Sequence, residues 1–333
     1  MSEAQRVGQL FMIDCPTTYI RQATLDAIEQ YHVGSVILDG TSYLSLQQTA
    51  SITAQLQARA PRGVGLFIST DQEGGQVQRL QGPGFSSVPS AVTQGTIDPA
   101  MLRGDAKIWG SQLRDAGVNV DLAPVLDTVP PGSAGNPAIG DLDREYGRTP
   151  AAVTAHGIAV AQGLADAGVD AAVKHFPGLG RTAGNTDVTS GVLDTVTTRH
   201  DAYLAPFAAA VSDGVAFVMM STAIYTKIDP NRPAAFSPTI VTGMLRDDLG
   251  YRGVIISDDI GIAKQVGDYS LGGRAVAFIA AGGDVVLSVD ATTAGDMTSA
   301  VLARARTDAV FRAQVDAAAL TVLEAKQARG LLG

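Results

Sequence analysis

Cysteine is almost absent from this chain of 333 residues: Cys15 stands alone, so no disulfide can form within the chain and the redox compartment stays open. Positive charge is scarce too. Lys and Arg total 24 against 33 Asp and Glu, which gives a net charge of −9 and a pI near 4.9, and no basic run interrupts the sequence. A nucleic-acid partner needs a positive face to neutralise phosphates, so this balance argues against that class. No stretch approaches the roughly 20 consecutive apolar residues of a membrane helix. Residues 1–5 lack the pattern of a signal peptide, and a secreted protein stripped of its leader would read the same, so cytoplasmic and exported locations both stay open. Also lacking is any Ser/Pro-rich seam, charge block or low-complexity tract to divide the chain; the 37 glycines are dispersed at strand ends and turns. The expectation is a single domain over residues 1–333, acting as a monomer.

What the chain does have is a recurring short apolar run, at 9–14, 34–39, 65–71, 118–127, 171–175, 215–221, 253–258 and 284–289. Parallel strands buried on both faces have this nearly continuous apolar character. Between most of them lie stretches at helical spacing, among them 45–58, 99–116, 150–167, 202–212, 237–249 and 271–281, and 308–330 reads as a terminal helix. Gly117, Gly168, Gly214, Gly250 and Gly282 close five of these helices, where a left-handed residue is easiest for glycine. Eight strands alternating with helices predict a (β/α)8 barrel with its active site at the C-terminal mouth. A doubly wound open sheet is the alternative. It needs a glycine-rich phosphate turn after its first strand, and Asp14-Cys15-Pro16-Thr17 is not one.

Asp14, Asp39, Asp71, Asp127, the pair Lys174-His175 and Asp258 all fall at or just beyond a predicted strand's C-terminal end. Carboxylates gathered at one mouth repel one another, so such a set serves a substrate better than it serves the fold. Asp14 and Asp39 are expected to act as helix N-caps. Asp71 and Asp258 sit in denser motifs. After Asp71, Gly74 and Gly75 allow a sharp turn that brings Arg79 back towards the same pocket, and a carboxylate with a guanidinium grips vicinal hydroxyls well. Arg144 is either a second such clamp or a surface arginine. Lys174 and His175 are neighbours on one strand and should point to different sides, yet at the strand's last turn both can reach the site. His175 alone is equally compatible with a core histidine.

Taken together, Asp71-Gln72-Glu73-Gly74-Gly75, the strand Leu122-Ala123-Pro124-Val125-Leu126-Asp127, Lys174-His175-Phe176-Pro177-Gly178 and Ser257-Asp258-Asp259 resemble glycoside hydrolase family 3. Leu245-Arg246-Asp247-Asp248-Leu249-Gly250-Tyr251-Arg252-Gly253 and Ile228-Asp229-Pro230 are similar as well, and the likeness runs in order from about residue 7 to 290. The branch it resembles is that of the single-domain β-N-acetylglucosaminidases, or β-hexosaminidases. The resemblance implies a (β/α)8 barrel and retaining hydrolysis by double displacement, with Asp258 as nucleophile and Asp71, Arg79, Arg144, Lys174 and His175 holding the sugar. It implies exo-hydrolysis of β-linked N-acetylglucosamine or a related β-sugar, with cell-wall or chitin-type oligosaccharides as substrates and neither metal nor organic cofactor. Lys174, if close to Asp258, would help to keep it ionised.

One loop departs from that pattern. Where the branch has Lys-His-Phe-Pro-Gly-His-Gly, four residues, then Asp-Ser-His, with the last histidine as acid/base, this chain has Leu179, Asn185 and Asp187 at the three distinctive positions. Three readings follow. Asp187 acts as a carboxylic acid/base; Asp127 or Glu145 does so from another loop; or protonation of the leaving group is lost and the protein binds sugars or cleaves only activated substrates. Gly178, Gly180, Gly184 and Gly191 suggest a loop free enough to close over a sugar, although Asp187 is also compatible with a solvated turn.

Overall fold

A computed structural model describes every residue except Arg62 and Ala134. Eight parallel strands pair until the sheet closes on itself: β1 Phe11–Pro16, β2 Ser35–Asp39, β3 Phe67–Thr70, β4 Val120–Asp121, β5 Asp170–Phe176, β6 Phe217–Met220, β7 Val254–Asp259 and β8 Val285–Ser288. They run around the barrel in chain order. Phe11 pairs with Val286 and Ile13 with Ser288, which closes the ring and removes the open-sheet alternative.

Alternation along each strand divides the core in two. Met12, Ile37, Phe67, Phe217, Ile256 and Leu287 fill the barrel, where Phe67 and Phe217 meet edge to face at 5.2 Å. Their neighbours in sequence, such as Phe11, Ile13, Val36, Leu38 and Ile255, pack outward against the helices. The helix Pro99–Asp115 shows why these segments form: Pro99 occupies its first turn, Asp98 accepts hydrogen bonds from the amides of Ala100 and Met101, and Leu102, Ala106, Gly110 and Leu113 recur on the buried side. The five glycines expected to end helices all have φ between +71° and +103°. The terminal helix spans Ala309–Ala328 and is capped by Asp308. From it Lys326 enters the bottom of the barrel, where its Nζ donates to Gln9 Oε1 (2.6 Å) and Gly34 O (2.7 Å).

Two departures from the sequence pattern matter. The fourth apolar run is a ladder only over Val120–Asp121, because Pro124 has no N–H to give. The chain nevertheless continues beside β5, with the Leu126 amide donating to Lys174 O (2.6 Å), so Asp127 still arrives at the mouth. A further helix, Ala294–Thr307, follows β8; its Met297, Val301 and Ala305 are buried at intervals of four.

Candidate active site

Because all eight strands are parallel, their C-terminal ends share one face, and a cavity of about 400 Å³ opens there. It is lined by Asp71, Arg79, Arg144, Lys174, His175, Asp187 and Asp258, but not by the alternative acid/base candidates Asp127 and Glu145. Asp71 follows β3 directly. The chain then makes a short hairpin, Gln72–Gly74 against Val77–Gln78, that turns at Gly74 (φ +102°) and Gly75 (φ +57°). The turn returns the Arg79 amide to Asp71 O at 3.2 Å. A side chain at residue 74 would meet Pro89 O at 2.2 Å, so glycine is needed there for space as well as for φ.

Strict alternation would send one member of each adjacent pair away from the cavity. Both motif-bearing strands avoid this with one extra residue. Val173 pairs with Val218 and Phe176 with Met220 between β5 and β6, and Ile256 pairs with Val285 and Asp259 with Leu287 between β7 and β8. Lys174 and His175, and likewise Asp258 and Asp259, therefore both reach the mouth.

Charge on the β3–β5 side is tightly paired. Lys174 Nζ lies 2.6 Å from Asp71 Oδ1 and 2.7 Å from Glu73 Oε1, while Arg144 grips both oxygens of Glu73 at 2.7 and 2.8 Å and donates to Ala138 O. Burial opposes the charge on Glu73, but Arg144 and Lys174 outweigh it and hold its carboxyl well below the usual range. Burial likewise works against the charge on Lys174, and Asp71 and Glu73 more than offset it, keeping its pKa raised. Asp121, buried beneath, is pushed up to about 7 by desolvation. Glu73 is the hub that the sequence did not single out; its place in the Asp-Gln-Glu-Gly-Gly run was the available signal. Arg144 is not a surface residue. Arg79 is the least engaged cation of the wall, 3.6 Å from Asp39.

His175 is fixed by Asp127, which takes Nδ1 at 2.7 Å and also accepts the amides of His175 and Leu179. That leaves Nε2 to the cavity. It also commits both Asp127 oxygens, and Glu145 lies buried away from the cavity beside Arg148 at 2.9 Å. Asp187 is thus the carboxylate of the three acid/base candidates that lines the cavity.

Asp258 ends β7. Burial raises its pKa to about 6; His175 pulls it down and Asp187 pushes it up, with Lys174 a lesser influence because its close contacts go to Asp71 and Glu73 instead. Asp259 serves the backbone rather than the cavity. Its Oδ1 accepts the amides of Gly261 and Val289, and Oδ2 that of Ile262, so it braces the turns after β7 and β8.

The expected N-cap roles fail. Asp14 pairs with Arg21 and accepts the Ala291 amide, and Asp39 faces Arg79 on the cavity wall. The helices that follow begin at Arg21, without a side-chain cap, and at Ser45, which bonds the Gln48 amide. Packing explains two of the four loop glycines: a Cβ at Gly180 would meet Thr128 O at 2.0 Å, and one at Gly184 would meet Val192 at 2.9 Å, whereas Gly178 (φ +128°) and Gly191 (φ +70°) have room for a side chain and answer to backbone conformation.

Comparison with known proteins agrees with this fold. Residues 3–325 match the glycosyl hydrolase family 3 N terminal domain. A β-hexosaminidase of Stenotrophomonas maltophilia (strain K279a) is 34% identical over 84% of this chain and 82% of its own length. The crystal structure of a β-N-acetylhexosaminidase from Beutenbergia cavernae DSM 12333 superposes with a TM-score of 0.97 at 48% identity, covering 98% of this chain and 99% of that one. A family 3 β-N-acetylglucosaminidase from Paenibacillus sp. str. FPU-7 gives a TM-score of 0.92 at 33% identity, covering 99% of this chain and 63% of that longer one. The chain is a glycosidase that belongs to glycosyl hydrolase family 3, in its β-hexosaminidase branch.

Proposed function

We propose that the protein is a retaining exo-glycosidase that releases β-linked N-acetylglucosamine, or a closely related β-sugar, through a glycosyl ester on Asp258, with Asp187 as general acid and base. The observation that carries this reading is the meeting of two carboxylates, one from the end of β7 and one from the loop after β5, at one cavity whose facing wall presents paired polyol-binding groups. The sugar is suggested by the relatives, which are named β-hexosaminidase, β-N-acetylhexosaminidase and β-N-acetylglucosaminidase. Oligosaccharides of the cell-wall or chitin type, taken up by a monomeric single-domain enzyme, are the matching substrates.

In the first step an Asp258 oxygen bonds to the anomeric carbon as the glycosidic C–O bond breaks, and Asp187 gives its proton to the departing oxygen. In the second, ionised Asp187 takes a proton from water, whose oxygen bonds to the anomeric carbon while the ester to Asp258 breaks. Both carboxyls return to their starting states. Asp258 must be ionised to attack, which its surroundings permit above about pH 6.

Aryl β-glycosides that differ in sugar and in leaving-group pKa test the proposal. Turnover of the N-acetylglucosaminides, with release of the single sugar and retained configuration, is expected. Sugar binding without turnover of even the most activated member would return the chain to a binding or regulatory role.

A further inference from the structure

We infer that Gln265, together with the amide of Lys264, positions Asp187 by clasping the loop after β5 to the turn after β7. The inference rests on the reading of Asp187 as the acid/base. An aspartate carboxylate stands on only two rotatable bonds, so the place of its backbone decides where its proton can be delivered. Catalytic groups lose much of their effect when displaced by about 1 Å.

The backbone around Asp187 is held at consecutive points. Its carbonyl accepts the Lys264 amide (3.1 Å), and the Thr186 carbonyl accepts the Gln265 amide (3.1 Å). The Asp187 amide itself donates to Asn185 Oδ1 at 2.9 Å. The Gln265 side chain, 9% exposed, then reaches the far end of the same loop, where Oε1 accepts the Val192 amide (2.8 Å) and Nε2 donates to Val192 O (3.1 Å). The turn that carries Lys264 and Gln265 leaves β7 just past Asp258, and Asp259 fixes its start through the amides of Gly261 and Ile262. Hydrogen bonds therefore run from the strand end bearing one carboxylate to the loop bearing the other. Elsewhere the loop is anchored by Asn136 Nδ2, which donates to Leu179 O and Thr182 O (both 2.9 Å). This is the geometry of a fixed arm rather than of a closing lid.

Two variants separate positioning from folding. Gln265→Met keeps the side chain's bulk but removes both bonds to Val192. Lys264→Pro removes the single amide aimed at Asp187 O; it falls at the first position of a short helical turn, and Ala263 before it is extended (φ −55°, ψ 132°), as a residue preceding proline should be. For glycosides with poor leaving groups we expect each variant to lower kcat at least about tenfold with KM within about twofold, because the defect lies in proton delivery. For dinitrophenyl glycosides, whose first step needs no acid, kcat/KM, which reports that step, should stay within about twofold of the parent. Gln265→Glu, which keeps the acceptor for Val192 N–H but not the donor, should fall between. Equal losses on both substrate types, a change in KM alone, or no change at all would overturn the inference. Asp187→Ala on the same panel tells the two readings apart. If it is selective for poor leaving groups and the clasp variants are not, the clasp alone is refuted; if Asp187→Ala is not selective, the acid assignment falls and the positioning role falls with it.

Discussion

The two sides of the cavity are built from different materials. On the side of β3 to β5, position is enforced by charge: Lys174 bridges Asp71 and Glu73, Arg144 grips Glu73, and Asp127 orients His175. On the other side, Asp187 is exposed, and its loop is held by the amides of Lys264 and Gln265 and by the neutral side chains of Asn185 and Gln265. The charged wall fails when any one partner is lost, because a buried charge is then left alone. The loop rests instead on neutral hydrogen bonds that place its backbone. On the proposed assignment of Asp187, this difference is what lets a carboxylic acid/base stand in the loop while the facing wall is left unchanged.

Substitutions on either side probe this contrast. Asp258→Ala removes the attacking atom, and kcat/KM should fall by at least about 10³-fold on every substrate while circular dichroism stays unchanged. A loss that spared any substrate would place the nucleophile elsewhere. Asp187→Ala should cost about 10²–10⁴-fold in kcat/KM on glycosides with poor leaving groups and little in kcat/KM on activated ones, whose kcat falls with the second step and is restored by azide. Small, equal losses would make Asp187 a turn residue. Lys174→Met leaves Asp71 without its cation and Glu73 with Arg144 alone, and chemical denaturation should show a loss of about 3–5 kcal/mol. A value near zero would mean that the charged wall does not depend on its pairs.

The smallest effect is a shift in pH profile. An ionised Asp258 is required, so kcat/KM of the free enzyme should rise as pH increases through about 6. The negative charge of Asp187 raises that pKa. Replacing it in Asp187→Asn should move the acidic limb to lower pH, measured on an activated aryl glycoside so that loss of the acid does not mask the result. A limb that stays in place or moves upward would separate the two carboxylates electrostatically.

The same contrast decides what was readable in the sequence. Side chains at strand ends were: Asp71, Lys174, His175 and Asp258 announce themselves by following apolar runs, and the barrel follows from those runs and from the glycines that end the helices. Asp14 and Asp39 were misread because an aspartate after a strand looks the same whether it caps the next helix or answers an arginine, and Arg21 and Arg79 become partners only through tertiary contact. Glu73 was visible as part of a motif but not as a hub, since Arg144 lies 71 residues away in sequence. The clasp on Asp187 had no sequence signal at all. Its main-chain bonds carry no residue preference, Gln265 finds Val192 from 73 residues away in sequence, and glycines that pack closely read as glycines that move.

The most direct test of this mechanism is to trap the glycosyl-enzyme with a slow fluorosugar and locate the added mass by peptide mass spectrometry. An ester on Asp258 is expected. An adduct on Asp259, whose oxygens are occupied by the amides of Gly261, Ile262 and Val289, or on neither carboxylate, would contradict it.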